Sequence, residues 1–145
     1  MHIVCPFDNS STSRFALCEA LETAQRKQAT LTVLYAVDEW RLDVAAPEPI
    51  TRGRDREYEH GLWVLEQAEE LARTFDYPIE TELVEGRPAD AISEYCEQEQ
   101  PDVIMLGTRS AEDRKASFVS SVSESLRKLC ECPTRLVHYN EPPQS

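Results

Sequence analysis

Short runs of apolar residues recur along the chain and alternate with segments whose apolar residues are spaced three or four positions apart. The five runs are rich in β-branched and aliphatic side chains, which is typical of strands in a parallel sheet. They lie at 2–8, 30–37, 79–84, 103–106 and 134–139. A strand, a helix and a second strand at this spacing form a βαβ unit, so we expect parallel strands joined by right-handed crossovers.

The segments between the runs have the apolar spacing of amphipathic helices. Helices are predicted at about 12–27 and 55–75, from Pro88 onwards, and at about 120–129. The positions expected to face the core are Phe15, Leu17, Ala20, Leu21 and Ala24 in the first helix, Tyr58, Leu62, Leu65, Ala68, Ala72 and Phe75 in the second, Ala89, Ile92, Tyr95 and Cys96 in the third, and Val119, Val122, Leu126 and Leu129 in the fourth. Residues 38–54 show no clear period and are predicted to form a long loop.

The alternation of five strands and four helices predicts an open α/β fold, in which helices cover both faces of a parallel sheet. A chain of 145 residues suits one domain. We place that domain at 1–140 and interpret 141–145 as a polar tail. Ligands of such sheets bind beyond the carboxyl ends of the strands, so a binding site is expected at that edge.

The stretch that follows the fourth strand has the layout of an anion-binding loop. The strand ends at Gly107, about a dozen mostly polar residues follow, and the last helix begins near Ser120 and Ser121. Backbone N–H groups of such a loop and helix start point at a phosphate when one is bound. Gly107 allows either a close approach of two backbones or a positive φ, and both interpretations stay open.

The charge of the chain argues against two classes of partner. The formal net charge is −12, and only three of the fifteen basic residues are lysines. Such a surface repels nucleic acid and anionic membranes, so neither is expected to bind. The chain has no membrane-spanning apolar run and no signal-type start, which predicts a cytoplasmic protein. The acidity fits either a salt-adapted source or plain solubility.

Five cysteines are scattered along the chain and do not form the pattern of a disulfide framework. Cys130 and Cys132 form a Cys-x-Cys pair without a second pair at zinc spacing, so no metal site is predicted and burial is favoured. The chain lacks the common hydrolase, metalloprotease and nucleoside-triphosphatase motifs. We therefore predict that the protein is not an enzyme. One alternative is a thiol-redox or small-molecule enzyme, which needs a cysteine of lowered pKa at the carboxyl edge of the sheet.

Five short motifs, in the right order, resemble those of the universal stress protein family. They are Pro6-x-Asp8-x-Ser10, the second strand ending at Asp38, the helix start Gly86-x-Pro88 with Ile92, Pro101-Asp102 leading to Gly107, and Cys132-Pro133 before the last strand. The resemblance covers nearly the whole chain and implies a Rossmann-like sheet of five strands in the order 3-2-1-4-5. It also implies a homodimer in which the last strand, Thr134–Tyr139, pairs across a two-fold axis.

Nucleotide-binding members of that family carry a Gly-x2-Gly-x9-Gly-(Ser/Thr) loop, and this chain keeps its spacing but not its glycines. Gly107 matches the first glycine, whereas Ser110 and Ser120 stand at the second and third, and Ser121 follows. A Cβ atom takes up space that an anion needs and disfavours a positive φ. The preferred prediction is therefore a dimeric stress-response protein with no cofactor and without tight ATP binding.

The second prediction is a family member that binds ATP or AMP with magnesium despite the altered loop. The contacts that the resemblance then implies come from Asp8, Ala36, Leu106, Gly107, Ser110, Ser120 and Ser121. Two of these residues also have a purely structural interpretation. Asp8 could bond to the backbone of its own turn, and Ser121 could cap the last helix together with Glu124.

Overall fold

In the computed structural model of the chain, five strands form one parallel sheet in the order β3-β2-β1-β4-β5, which confirms the predicted fold and strand order. The structure describes residues 1–38, 50–109, 122, 124–126 and 128–139. The strands are β1 (His2–Pro6), β2 (Thr30–Val37), β3 (Glu80–Glu85), β4 (Val103–Arg109) and β5 (Thr134–Tyr139). The helices are α1 (Ser11–Lys27), α2 (Ile50–Thr74) and α3 (Pro88–Glu99). The described residues of the fourth predicted helix, 122, 124–126 and 128–129, are also helical.

Buried side chains form one apolar cluster on each face of the sheet. On the first face, Leu17 of α1 and Val64 of α2 belong to the same cluster as Met105 of β4. On the second face, Ile92 of α3 lies in a cluster with Leu126. Because the central strands are covered on both sides, their sequences are continuous apolar runs instead of alternating ones. None of the described helices has the length and apolarity needed to cross a membrane.

Two of the predicted core positions on α1 and α2 are wrong, and the packing explains both. Phe15 is 38% exposed because the first turn of α1 buries Thr12 and Ser13, which turns the buried face of the helix away from Phe15. Leu62 is 55% exposed because Gly61 is the residue that faces the sheet. A Cβ at Gly61 would lie within 3 Å of side-chain atoms of both Leu83 and Tyr35.

The predicted fourth helix is also wrong at one position, since Leu129 is 48% exposed while Leu126 is fully buried. Leu129 stands directly before Cys130, where the helix has ended. Val122 packs against the same cluster as Leu126, as expected. Val119 lies outside the described residues.

Several predicted boundaries change. α2 begins at Ile50, so the loop predicted for 38–54 is too long, and residues 39–49 lie outside the described part of the chain. β4 continues to Arg109, which places Gly107 inside the strand and not at its end. The division into a domain at 1–140 and a tail at 141–145 stays a prediction, because the described residues end at 139.

Candidate functional site

A cavity of about 260 Å³ lies at the carboxyl ends of β1, β2 and β4. The chain leaves β1 for β2 on one side and reaches β4 on the other, so this is the switch point of the sheet, where ligands of open α/β folds bind. Its volume is slightly below the range of small-molecule sites, roughly 300–1,000 Å³. Its described lining consists of Pro6, Phe7, Asp8, Ser10, Ser13, Leu34, Tyr35, Ala36, Asp38, Glu57, Pro88, Ile92, Leu106, Gly107 and Val122.

The structure brings four of the seven predicted site residues together at this cavity. They are Asp8, which follows β1, Ala36, near the end of β2, and Leu106 and Gly107, within β4. The other three, Ser110, Ser120 and Ser121, lie outside the described residues. The capping box suggested for Ser121 falls there too. The part that any of the seven plays in binding stays a prediction.

Asp8 is bonded to the start of α1. Its Oδ1 atom accepts hydrogen bonds from the backbone N–H of Ser10, at 2.9 Å, and from the hydroxyl of Ser13, at 2.8 Å. Ser10 is the N-cap of α1, and its hydroxyl oxygen accepts the backbone N–H of Ser13 at 3.2 Å. Asn9 adopts a φ of 67°, a left-handed conformation that asparagine tolerates. Asp8 therefore holds the turn between β1 and α1, as its structural interpretation predicts.

Gly107 is needed because α1 and β4 approach each other through their backbones. A Cβ at this position would lie 2.5 Å from the carbonyl oxygen of Thr12 and 2.9 Å from its carbonyl carbon. Among the described glycines, Gly86 is the one with a positive φ, so Gly107 serves close packing and not an unusual backbone conformation. The first glycine of the loop motif thus has a role inside the protein, independent of any ligand.

The described lining is acidic. Asp8, Asp38 and Glu57 are its charged residues, and no lysine or arginine is among them. Within the described ranges, no group of three or more His, Cys, Asp or Glu side chains could hold a metal ion. This part of the lining therefore suits an uncharged polar or apolar group better than a chain of phosphates.

Sequence reasoning missed several residues that line the cavity. Pro88 reaches it because Gly86, at φ 125°, turns the chain and donates its backbone N–H to the Val37 carbonyl oxygen at 2.9 Å. That bond sets the start of α3 beside the end of β2, and the Gly-x-Pro spacing was its signal. Glu57 comes from α2, and nothing in its sequence context indicated that this helix reaches the site.

The cysteines do not support a thiol enzyme at this edge of the sheet. None is among the described lining residues. Burial raises the pKa of the Cys5 thiol and of the Cys96 thiol to about 12, and it also raises the pKa of Cys18 and of Cys132. A nucleophilic thiol needs the opposite shift, because the thiolate is the reactive form.

Comparison with known proteins agrees with the fold and the motifs. Residues 1–138 match the model of the universal stress protein family. The chain is 30% identical, over 137 residues, to universal stress protein MJ0531 of Methanocaldococcus jannaschii, and the match covers 93% of this chain and 80% of that protein. It is also 30% identical to the solved structure of UspA from Lactobacillus plantarum, with a TM-score of 0.74 and with 94% and 97% of the two chains covered.

A further similar structure is a family protein from Arabidopsis thaliana with AMP bound. It has a TM-score of 0.70, and the match covers 97% of this chain and 93% of that one. At 20% identity this likeness shows the fold alone. The match to the family model spans nearly the whole sequence and agrees with both the strand order and the motifs. The chain belongs to the universal stress protein family.

Proposed function

We propose that this is a stress-response protein whose cavity takes the nucleoside part of an adenine nucleotide and that it does not hold ATP tightly. The observation that carries the proposal is the described lining of the cavity, which combines apolar walls with three carboxylates and includes no basic side chain. A ligand that buries a base and ribose suits such walls, whereas a triphosphate meets repulsion there.

The apolar walls support the nucleoside part of the proposal. Leu34 and Ile92 are buried side chains of the second apolar cluster, and both reach the cavity. Ala36, at the end of β2, leaves room beside them because its side chain is a single methyl group. The family protein from Arabidopsis thaliana contains AMP, and we extend that class of ligand to this chain as a proposal.

Charge and sterics support the absence of tight ATP binding. The carboxylates of Asp8 and Glu57 oppose the negative charges of a triphosphate. Magnesium would reduce that repulsion, and the described residues include no cluster of three or more His, Cys, Asp or Glu side chains that could hold the ion before the nucleotide binds. Ser110 and Ser120 add a Cβ at the second and third of the three positions where the family's nucleotide-binding loop has glycine.

We also propose that the protein catalyses no reaction at this cavity. The serine hydroxyl nearest to a potential base, that of Ser13, donates its hydrogen to Asp8 as part of the α1 cap. The described lining has no histidine, cysteine or lysine that could act as a base or nucleophile. This arrangement supports ligand binding without catalysis, in which the bound ligand changes the stability of the protein or its choice of partners.

A charge variant tests the electrostatic part directly. Glu57→Gln removes a carboxylate from the lining, and Glu59→Gln removes one from the exposed surface of the same helix. If charge in the cavity opposes ATP, Glu57→Gln should improve ATP affinity by about 0.5–1 kcal/mol and leave adenosine affinity unchanged. Equal effects of the two variants would show that only net charge matters. No effect of Glu57→Gln would contradict the proposed position of the phosphates.

The proposed assembly is a homodimer that pairs β5 with its copy. β5 is at the edge of the sheet, with β4 on one side and no described strand on the other. An edge strand presents unpaired backbone donors and acceptors, which a second copy can satisfy. The dimer does not depend on whether a nucleotide binds in the cavity.

A further inference from the structure

Three of the five cysteines meet on the face of the sheet that α3 covers. Cys96 projects from α3, and Cys130 and Cys132 stand just before β5. All three belong to the same apolar cluster. Both Cys130 and Cys132 lie close enough to the thiol of Cys96 to contribute to the rise in its pKa, so the three sulfur atoms are neighbours in this cluster. Their separation along the chain gave no sign of this contact.

The segment that carries the Cys-x-Cys pair is folded tightly against its surroundings. The backbone N–H of Cys132 donates to the sulfur of Cys130 at 3.4 Å, and the thiol of Cys132 donates to the carbonyl oxygen of Pro101, also at 3.4 Å. Ser93, one turn before Cys96, donates its hydroxyl to the Leu129 carbonyl oxygen at 3.2 Å. These bonds hold α3 and the segment before β5 in one arrangement, so the sulfur contacts are built into the fold.

The three thiols differ in their access to solvent. Cys96 is 3% exposed, whereas Cys130 and Cys132 are half-buried. A small oxidant can therefore reach the Cys-x-Cys pair more readily than it reaches Cys96. This is the arrangement of an oxidisable thiol with a resolving thiol behind it.

We propose that Cys96, Cys130 and Cys132 form an oxidation site, at which a hydroperoxide joins Cys96 to Cys130 or Cys132 in an intramolecular disulfide. In the first step the half-buried thiol of Cys130 or Cys132 attacks the hydroperoxide and gives its proton to the leaving oxygen. An S–O bond forms, the O–O bond breaks, and an alcohol leaves, or water when the oxidant is hydrogen peroxide. In the second step the thiol of Cys96 attacks the sulfenic sulfur, the S–S bond forms, and the hydroxyl leaves as water with the proton from Cys96. Two thiols are oxidised and one hydroperoxide is reduced.

The environment of the three thiols makes their oxidation slow. Burial raises the pKa of Cys96 to about 12, and it raises the pKa of Cys132 as well, so little thiolate is present at neutral pH. Oxidation then requires a sustained or concentrated oxidant, and rises with pH. Cys5 is fully buried and Cys18 is half-buried on α1, and both lie outside the cluster that holds the other three cysteines, so neither is expected to take part in this disulfide.

The bond would connect α3 to the segment that leads into β5. It would close a covalent loop that contains β4 and residues 110–121, which include the serines of the altered glycine motif. Val122 packs against the cluster that holds these cysteines and also lines the cavity. Oxidation at the three thiols therefore acts on both the cavity wall and the start of the edge strand. The crosslink also restricts the unfolded chain, so the oxidised protein should melt at a higher temperature.

The test uses the full chain, purified in reduced form and then treated with hydrogen peroxide. After the free thiols are alkylated in denaturant without reductant, peptide mass spectrometry should find two of the five thiols lost and one peptide containing Cys96 crosslinked to one containing Cys130 or Cys132. Dithiothreitol should restore all five thiols. Cys18→Ser is the matched control, because it removes a thiol outside the cluster and should leave the crosslink unchanged.

Two sets of cysteine variants identify the thiols that form the crosslink. Cys96→Ser should abolish the crosslink, and because Cys96 is buried, its folding is checked by circular dichroism. The double variant Cys130→Ser, Cys132→Ser changes only half-buried positions and should abolish the crosslink as well. A disulfide between Cys130 and Cys132 that leaves Cys96 free would overturn the proposal. So would oxidation to sulfinic acid without a crosslink, or five unchanged thiols when a small model thiol is fully oxidised under the same conditions.

Discussion

A Cβ atom at Gly107 would lie 2.5 Å from the carbonyl oxygen of Thr12, so the first turn of α1 rests directly on the backbone of β4. Both residues stand beside the candidate site, since Gly107 lines the cavity and Thr12 follows the cap that Asp8 supports. The same glycine that the family motif assigns to a nucleotide loop is thus required by the packing of the protein itself. The effect of Gly107 on folding stability can therefore be measured without any ligand, separately from its effect on binding.

Gly107→Ala should destabilise the fold in the absence of any ligand. The added methyl group meets backbone atoms of Thr12, which cannot move without shifting α1, and overpacking of this kind costs about 1–3 kcal/mol. The free energy of unfolding, from urea denaturation, measures the effect. Gly61→Ala is the comparison: its nearest atoms are side-chain atoms of Leu83 and Tyr35, and alanine favours the helix by about 1 kcal/mol, so its loss should be smaller. Equal stability of Gly107→Ala and the parent protein would contradict the packing argument.

Substitutions at Asp8 should separate the turn from the binding site. Asp8→Ala removes the acceptor of both the Ser10 N–H and the Ser13 hydroxyl and should cost about 1 kcal/mol of stability. Asp8→Asn keeps an oxygen acceptor at Oδ1 and should retain most of that stability. Thermal or urea unfolding of the two variants checks the difference. If both variants are as stable as the parent protein, the hydrogen bonds of Asp8 do not support α1.

Stability should fall as the pH rises from about 9 towards 12. Burial raises the pKa of the Cys5 thiol to about 12, from a value of 9.0 without burial. In that interval the unfolded chain has lost the proton that the folded chain keeps, so the unfolded state binds fewer protons and the free energy of unfolding declines with pH. The contribution is fully present below pH 9 and is lost as the pH passes the folded pKa.

Comparison with Cys5→Ala isolates this effect from other groups that titrate in alkali. The parent protein should lose up to about 1.4 kcal/mol more per pH unit than the variant, measured by urea unfolding between pH 8 and about 11. The variant is expected to be less stable at pH 8, because it leaves a small cavity in the core. Parallel pH profiles for the two proteins would show that the Cys5 thiol does not keep its proton in the fold.

The proposed dimer predicts a concentration-dependent change at β5. In sedimentation velocity the protein should be dimeric at high concentration and dissociate on dilution. Hydrogen exchange should then show stronger protection of the amides at 134–139 in the dimer than in the monomer, because edge N–H groups gain partners. The amides of β3, at the opposite edge, serve as the control and should not change. A dimer that protects β3 or a helix surface instead would place the interface elsewhere.

Most of the fold could be predicted from the sequence because its central strands are buried on both faces. Continuous apolar runs such as Ile3–Cys5 leave few alternatives, and the strand order came from the family resemblance. The errors fell on helix surfaces. A small residue, Gly61, faces the sheet where a large one was expected, and two polar residues, Thr12 and Ser13, are buried at the first turn of α1.

The sequence also predicted part of the candidate site, because several of its residues are placed by the strands. Asp8 follows β1, Ala36 is near the end of β2 and Leu106 lies within β4, and strand order alone brings such positions together. Glu57 reaches the cavity from α2, and Cys96 meets Cys130 through helix packing. Both contacts depend on how helices lie on the sheet, which hydrophobic periodicity does not encode.

The central claim is that the cavity takes a nucleoside but not a triphosphate, and calorimetric titration tests it most directly. The nucleotide-free protein would be titrated with adenosine, with AMP, and with ATP in the presence and absence of magnesium. We predict that adenosine and AMP bind with similar affinity and that ATP, with or without magnesium, binds no more tightly than adenosine. Binding of magnesium-ATP at micromolar strength, tenfold or more tighter than adenosine, would contradict the claim, and so would the absence of binding by all four up to millimolar concentration.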